Sequence, residues 1–296
     1  MYQVTPGGRR PIWGALGCVM LVAAWAAPVA LAESLNNADA DLRGVVPTVS
    51  LVGQGNVQVE TGVAADQEAS GHHLLRTWST PTLLRFGMPN YELRIQSDAY
   101  SHVRTYSAVK TGMSDLAFGF KGLVPQSLDP RLSVAVLLQA AFPNGSSQIR
   151  NNGVRPEFDL VGEWQLPRAN TVGGLAGLRS DVDSHRKHFR TGIVGLNFVH
   201  AWNARFSSTT ELAAREIRTA SHGGKNVVWN FGAAWRAIPG TQLNARAGWG
   251  LTGMDTDWAW TVGVSTRFRP PDPSAMAHRH QPKAEEPPTA NAGESQ

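Results

Sequence analysis

The chain has 296 residues and a formal net charge of +4, with two of its basic residues, Arg9 and Arg10, close to its first residue. That balance is small for the length, so no nucleic-acid partner is expected. Its single cysteine, Cys18, leaves the sequence after it without the means for a disulfide scaffold, a thiolate zinc site or thiol catalysis.

Residues 1–32 read as an export signal. Arg9 and Arg10 supply the positive flank, Pro11 to Ala32 is apolar, and Ala30-Leu31-Ala32 is a small-x-small cleavage pattern. The flanks of Arg9-Arg10 do not match a twin-arginine signal, and Ala15-Leu16-Gly17 before Cys18 lacks the large aliphatic residue of a lipidation site. Beyond the signal no run of about 18 apolar residues occurs, so no transmembrane helix is expected. Residues 33–55 are polar, with a short apolar patch at Val45, Val46, Val49, Leu51 and Val52. Two readings stay open for this stretch: a periplasmic lead-in, or a plug that enters a lumen.

From about residue 56 the dominant period is two, the period of a strand. Tyr91, Leu93 and Ile95 alternate with Glu92, Arg94 and Gln96; Leu116, Phe118 and Phe120 with Asp115, Ala117, Gly119 and Lys121. Leu132, Val134, Val136, Leu138, Ala140 and Phe142 share one face. Phe158, Leu160, Gly162, Trp164 and Leu166 alternate with Asp159, Val161, Glu163 and Gln165. Runs from Val227 to Arg236, Leu243 to Trp249 and Trp258 to Phe268 repeat the pattern, and weaker runs cover 56–65, 74–86, 171–179, 190–199 and 205–216. The total is about twelve strands, each near the roughly 9–11 residues that cross a bilayer.

A soluble β-sandwich also alternates, but two features point to a membrane barrel. The connections read as alternately short and long: Gly87–Asn90, Val124–Pro130, Pro167–Asn170, Trp202–Ala204 and Pro239–Thr241 are short, while Asp66–His73, Ser101–Thr111, Pro143–Arg155, Ser180–His188, Ile217–Lys225 and Thr252–Asp257 are longer and polar. The aromatic residues gather at strand ends. Phe142, Phe158, Trp249 and Trp258 fall beside the long loops, and Phe86, Tyr91, Trp202, Phe206, Trp235 and Phe268 beside the short turns. Two girdles suit rings at headgroup depth, whereas a sandwich would bury them in its middle. The expected fold is therefore all-β: a transmembrane antiparallel up-and-down barrel over 56–268, in lipid of a Gram-negative cell outer membrane. Outer-membrane barrels commonly close on a strand whose terminal aromatic residue is read by the barrel-assembly machinery. Gly263 and Phe268 in the last run supply that signal. Residues 269–296, rich in Pro, Ala, Glu and Gln, read as a disordered periplasmic tail.

Several motifs in order resemble a known family. They are Thr80-Pro81-Thr82-Leu83-Leu84-Arg85-Phe86-Gly87 with Tyr91-Glu92-Leu93-Arg94, then Gly112-Met113-Ser114-Asp115-Leu116-Ala117-Phe118-Gly119-Phe120-Lys121, then Ala141-Phe142-Pro143-Asn144-Gly145. Together, over about 75–268, they resemble the outer-membrane transporter family labelled after the MetA-pathway of phenol degradation. The chain departs from the family in Phe-Pro-Asn-Gly, where a Thr is usual, and in its C-terminal tail. The resemblance implies movement of aromatic or other small hydrophobic molecules.

The search for chemistry returns little. No His-x-Ser pair of an outer-membrane lipase and no Gly-x-Ser-x-Gly elbow occurs, so no enzyme is expected. His72, His73, His102, His185, His188 and His222 fall in predicted external loops without metal-site spacing. Asp181-x-Asp183 and Asp255-x-Asp257 lack the Gly and Glu of a calcium loop, and Gly224-Lys225 lacks the first Gly of a phosphate loop. No cofactor or metal is expected. The informative charges face the predicted lumen: Glu92, Arg94, Asp98, Asp115, Lys121, Asp159 and Glu163 on the earlier strands, then Glu211, Arg215, Arg236, Arg246 and Arg267 on the later ones. Acids lean to one wall and arginines to the other. Two readings fit: a transverse field that sorts solutes in a pore, or a network of internal ion pairs that stiffens a narrow barrel. The sequence thus points first to a passive channel for small solutes, with the loop Pro143–Arg155 controlling access. A closed barrel that binds a partner through its loops comes second, and a lipid hydrolase third.

Overall fold

The computed structural model describes residues 38–42, 44–70, 73–125, 129–183, 185–218, 223–252 and 256–269. The predicted signal and nearly all of the predicted tail lie outside them. The strands are β1 (Val57–Ser70), β2 (His73–Gly87), β3 (Tyr91–Thr105), β4 (Val109–Gly112), β5 (Ala117–Leu123), β6 (Leu132–Ala141), β7 (Arg155–Leu166), β8 (Asn170–Val182), β9 (His188–Ala201), β10 (Phe206–Arg218), β11 (Gly223–Ile238), β12 (Thr241–Gly250) and β13 (Thr256–Phe268). All pairings are antiparallel, and apart from β1–β13 and β3–β5 they join chain neighbours. The sheet closes because β1 pairs with β13 from Val57↔Phe268 to Glu68↔Thr256 and with β2 on its other side. β4 and β5 both pair with β3, so they are two pieces of one stave. Thirteen strands therefore make a closed barrel of twelve staves.

The alternation read in the sequence sets the two surfaces. On β7, Asp159 and Val161 are buried while Phe158, Leu160 and Trp164 are exposed. The same division holds on β9, where Thr191, Ile193 and Gly195 point in and Val194, Leu196 and Phe198 point out. The outer surface is a continuous apolar band, which in water would be far larger than the patches soluble proteins leave exposed. It is the lipid-facing surface of a transmembrane barrel. Rings pair along it: Trp78 with Trp260 at 5.4 Å and Trp229 with Trp249 at 5.5 Å between centroids. Ala65 is buried although it faces outward, because it pairs with Trp78 on one side and Trp260 on the other and their rings cover it.

The strands run further than the periodicity suggested. β1 continues to Ser70 and β2 starts at His73; β3 continues to Thr105; β10 ends at Arg218 and β11 starts at Gly223. Much of the predicted loops Asp66–His73, Ser101–Thr111 and Ile217–Lys225 is thus strand. Past the lipid a strand keeps its hydrogen-bond ladder but has no reason to alternate apolar residues, so the sequence signal stops before the strand does. His102, expected in a loop, lies on β3 opposite Trp78. Among the described residues one long irregular connection remains, 142–154. At the other end the turns are tight. Arg168 and Ala169 both have positive φ, as the paired central positions of a type I′ hairpin turn demand.

The wall is broken at one place. Between β4 and β5, residues 113–116 leave the ladder, and on the facing strands β2 and β3 the register shifts at Ser79/Pro81, where proline supplies no N–H. Ser114 repairs the gap: its N–H donates to the Asp98 carbonyl at 3.0 Å and its hydroxyl accepts the Asp98 N–H at 2.7 Å. Gly112, at φ +147, makes the bend, and a Cβ there would meet Ser146 at 2.4 Å.

Candidate functional site in the lumen

Residues 38–56 run through the lumen at the short-turn end. Ala38, Ala40, Asp41, Val46, Thr48, Val49 and Val52 are all buried. Its described residues form neither helix nor strand, so their main-chain donors and acceptors need partners in a water-poor place. Four glutamates on four strands supply acceptors. Glu60 on β1 takes the N–H groups of Asp41 (2.7 Å) and Leu42 (3.0 Å). Glu92 on β3 takes Val52 (3.0 Å), and Glu163 on β7 takes Val49 (3.1 Å). Glu211 on β10 takes Val45 (3.0 Å) and Val46 (2.9 Å). Cations supply the donors. Arg85 on β2 gives N–H groups to the carbonyls of Asp39 (3.0 Å) and Ser50 (2.7 Å), and Lys121 on β5 gives one to Ser50 (3.1 Å).

Asp41 ties the segment to the wall. Its Oδ1 closes the segment into a bend by accepting the Thr48 N–H (3.0 Å) and hydroxyl (2.8 Å). Its Oδ2 accepts from Arg94 and from Lys121 (2.9 Å), with Arg85 at 3.8 Å. Burial alone would push the Asp41 carboxyl up. The Arg85, Lys121 and Arg94 charges outweigh it and hold the group well below the usual carboxylate range. Arg85 also pairs with Glu60 (3.0 Å) and Glu92 (2.9 Å), and Arg94 with Glu92 (3.0 Å). Arg236 reaches Asp39 at 3.2 Å. Across the lumen the contact is apolar: Val46 and Val49 pack on Ala135, Val161, Leu175 and Ile193 of β6–β9.

Of the charges read from the sequence, Glu92, Arg94, Lys121, Glu163, Glu211 and Arg236 contact the segment directly. Arg267 lies beside it through Gln58, at 3.1 Å. The others lie elsewhere. Asp115 sits in the 113–116 break and caps the 142–154 loop, accepting N–H groups from Gly145 and Asn151 at 3.0 Å each. Arg215 is exposed near the far end of β10. Asp159 is buried, with an Oδ1 that has no hydrogen-bond partner. Arg246 lines a recess above the segment. Gly263 pairs with Gly62 at the seam, and Phe268 is exposed on the outer face. The expected separation of acids from arginines does not occur near the segment, because Arg85, Arg94 and Lys121 interleave with Glu60, Glu92 and Asp41. Buried like charges on neighbouring strands would repel without such partners.

Arg85, Glu60, Gln58 and Asp41 were not singled out in the sequence, although Arg85 is the fully buried centre of the cluster. The signal was there: Gln58/Glu60 and Leu83/Arg85 occupy the inward parity of their strands. Their runs are short on apolar contrast, and that hid the face. Among the described residues no group of three or more metal-ligating side chains is gathered.

This geometry defines the class: a transmembrane β-barrel whose lumen is crossed by its own N-terminal segment, seated on buried charges. The sequence matches the family described as "Putative MetA-pathway of phenol degradation" over residues 40–268, and the chain belongs to that family. Among solved structures, an outer membrane channel from Pseudomonas putida F1 is similar at 12% identity and TM-score 0.59, covering 74% of this chain and 97% of that one. The beta domain of a Bordetella autotransporter is similar at 11% identity and TM-score 0.51, covering 73% and 100%. These likenesses are of fold. No curated protein matches the sequence.

Proposed function

We propose that this protein is a Gram-negative outer-membrane channel for small hydrophobic or aromatic solutes, closed by residues 38–52 and conducting when that segment leaves its seat. The observation that carries the reading is how the segment is held. It is fixed by hydrogen bonds to its main chain and by the carboxylates of Asp41 and Asp39, with Val45, Val46 and Val49 as its apolar contact. No strand of the barrel wall depends on it, so it can leave while the sheet stays closed. The short turns lie on the periplasmic side in this reading, and residues 1–32 direct export. The remaining partners are outer-membrane lipid and the barrel-assembly machinery. The family's description names a phenol pathway, and the lumen suits such a solute. An apolar strip of Leu137, Val161, Leu175 and Ile193 lines β6–β9, and a polar strip of Asn230, Gln242 and Asn244 lines β11 and β12.

The test is single-channel conductance of the purified protein in a planar bilayer, with and without residues 38–52, followed by addition of phenol. Rare small openings in the full chain, larger steady steps after the deletion, and block by phenol are expected. A shortened protein that folds yet carries no current would overturn the channel. It would favour the second reading, in which the seated segment makes a permanently closed barrel that acts through its loops. Steps without block would remove the solute class and keep the channel.

A further inference from the structure

Above the seated segment, a recess open to the lumen lies against β9–β12. Three of its lining side chains are not engaged. Arg246 on β12, Asn197 on β9 and Thr209 on β10 form no side-chain hydrogen bond or ion pair with another described residue. Among the other described inward cations near the short turns, Arg85, Arg94, Lys121 and Arg236 each hold a carboxylate, and Arg267 holds the Gln58 side-chain carbonyl at 3.1 Å. Arg246 holds neither. Glu211 lines the same recess, but it is not within ion-pair distance of Arg246: its Oε1 takes the Val45 N–H and the Asn230 amide at 2.8 Å, and its Oε2 takes the Val46 N–H. The recess therefore presents an excess of donors: a guanidinium with five N–H groups, an amide and a hydroxyl.

We infer that this recess is a binding site for a small carboxylate, held by Arg246 with Asn197 and Thr209 as secondary donors. A planar guanidinium presents a fork that matches a carboxylate in two parallel hydrogen bonds, which an ammonium cannot. Val46 and Ala234 give the recess an apolar side for the body of the molecule. The inference deepens the channel reading and rests on it for biological meaning, since a bound solute would also touch Gly44 and Val46 of the closing segment. The binding itself needs no conduction.

The test is equilibrium dialysis of radiolabelled benzoate, and separately of benzamide, against the folded full-length protein. Benzamide has the same shape without the charge. Benzoate is expected to bind at least tenfold more tightly than benzamide. Arg246→Gln should abolish that preference, Arg246→Lys should keep part of it, and Asn197→Ala should weaken it severalfold. Folding of each variant is checked by the heat-dependent shift in gel mobility, and Arg246→Lys keeps the test alive if Arg246→Gln does not fold. Equal binding of the two probes, or benzoate binding unchanged in Arg246→Gln, would overturn the site. Conductance reads the other proposal independently. Binding without current leaves the site and removes the channel; current without Arg246-dependent binding does the reverse.

Discussion

Lys121 Nζ and Asp41 Oδ2 lie 2.9 Å apart, both side chains almost wholly buried. One belongs to the barrel wall and the other to the segment inside it, so this contact is where the two parts are electrically locked. Arg94 meets the same oxygen. Three wall cations converge on one carboxylate of the segment, while the wall carboxylates take the segment's N–H groups. The segment's other carboxylate, Asp39, meets only Arg236, at 3.2 Å, so Asp41 carries most of the charge contact of the seat.

Asp41→Asn should therefore unseat the segment without unfolding the barrel. Removing one member of a buried charge group leaves the others uncompensated, at a cost of about 3–5 kcal/mol. That is a shift of a hundredfold or more in the seated fraction. Open probability in a planar bilayer should rise accordingly, with the folded gel mobility unchanged. An unaltered conductance would show that the main-chain hydrogen bonds alone hold the seat.

Acid should do what the substitution does. The seated Asp41 carboxyl is held below its ordinary value by Arg85, Lys121 and Arg94. A group whose value is depressed in the seated state adds stability that is fully present above the unseated value, about 3.9, and is lost as pH falls through the seated one. Conductance should stay flat from about pH 7 to 5 and rise below about 4. In Asp41→Asn that rise should be absent. A rise near pH 6 would place the titrating group elsewhere.

Much of this molecule could be read from the sequence, for a physical reason. Lipid outside and a narrow lumen inside impose opposite demands on successive residues, so β6, β7 and β13 announce both their faces. The charges that seat the segment were visible where they sat in such strands, as Glu92, Arg94 and Lys121 do. Arg85 and Glu60 sit in strands of weak contrast. Asp41 lies in a stretch with no period at all, and its role depends on what the closed barrel brings to it from β2, β3 and β5. The ends of the strands were illegible because the ladder there continues in water. Asp115 was placed by parity in a strand that is broken at that residue.

Gly87 gives a steric test of the same seat. A Cβ there would stand 1.8 Å from the Gly53 carbonyl oxygen, and the Gly87 N–H and C=O bond Asn56 and Gly55 of the segment. The obstruction is main chain and cannot turn aside. Gly87→Ala should displace residues 53–56 at a cost of about 1–3 kcal/mol. Increased proteolysis between β1 and the buried valines should report it. A wild-type digestion pattern would mean that the segment adapts.

Asp159 offers the opposite expectation. It is 4% exposed, its Oδ1 has no partner, and it faces Gly177 on β8. A buried carboxylate left unpaired costs more than an amide in the same place. Asp159→Asn should raise the thermal midpoint of the folded gel band, equivalent to about 1 kcal/mol. A lower midpoint would mean that the carboxylate holds something within the lumen.

Phe268 is 52% exposed on the outer face, opposite Val57 at the seam where the barrel closes. A ring so exposed to lipid contributes little packing to the finished barrel. Phe268→Ala should consequently leave unaided refolding into detergent nearly unchanged. As the proposed assembly signal, the ring should matter only when the barrel-assembly machinery is present. Assembly into vesicles carrying that machinery should slow severalfold in the variant, against an unchanged rate in vesicles without it. Equal slowing in both would assign the ring to the stability of the seam, and no slowing in either would remove it as a signal.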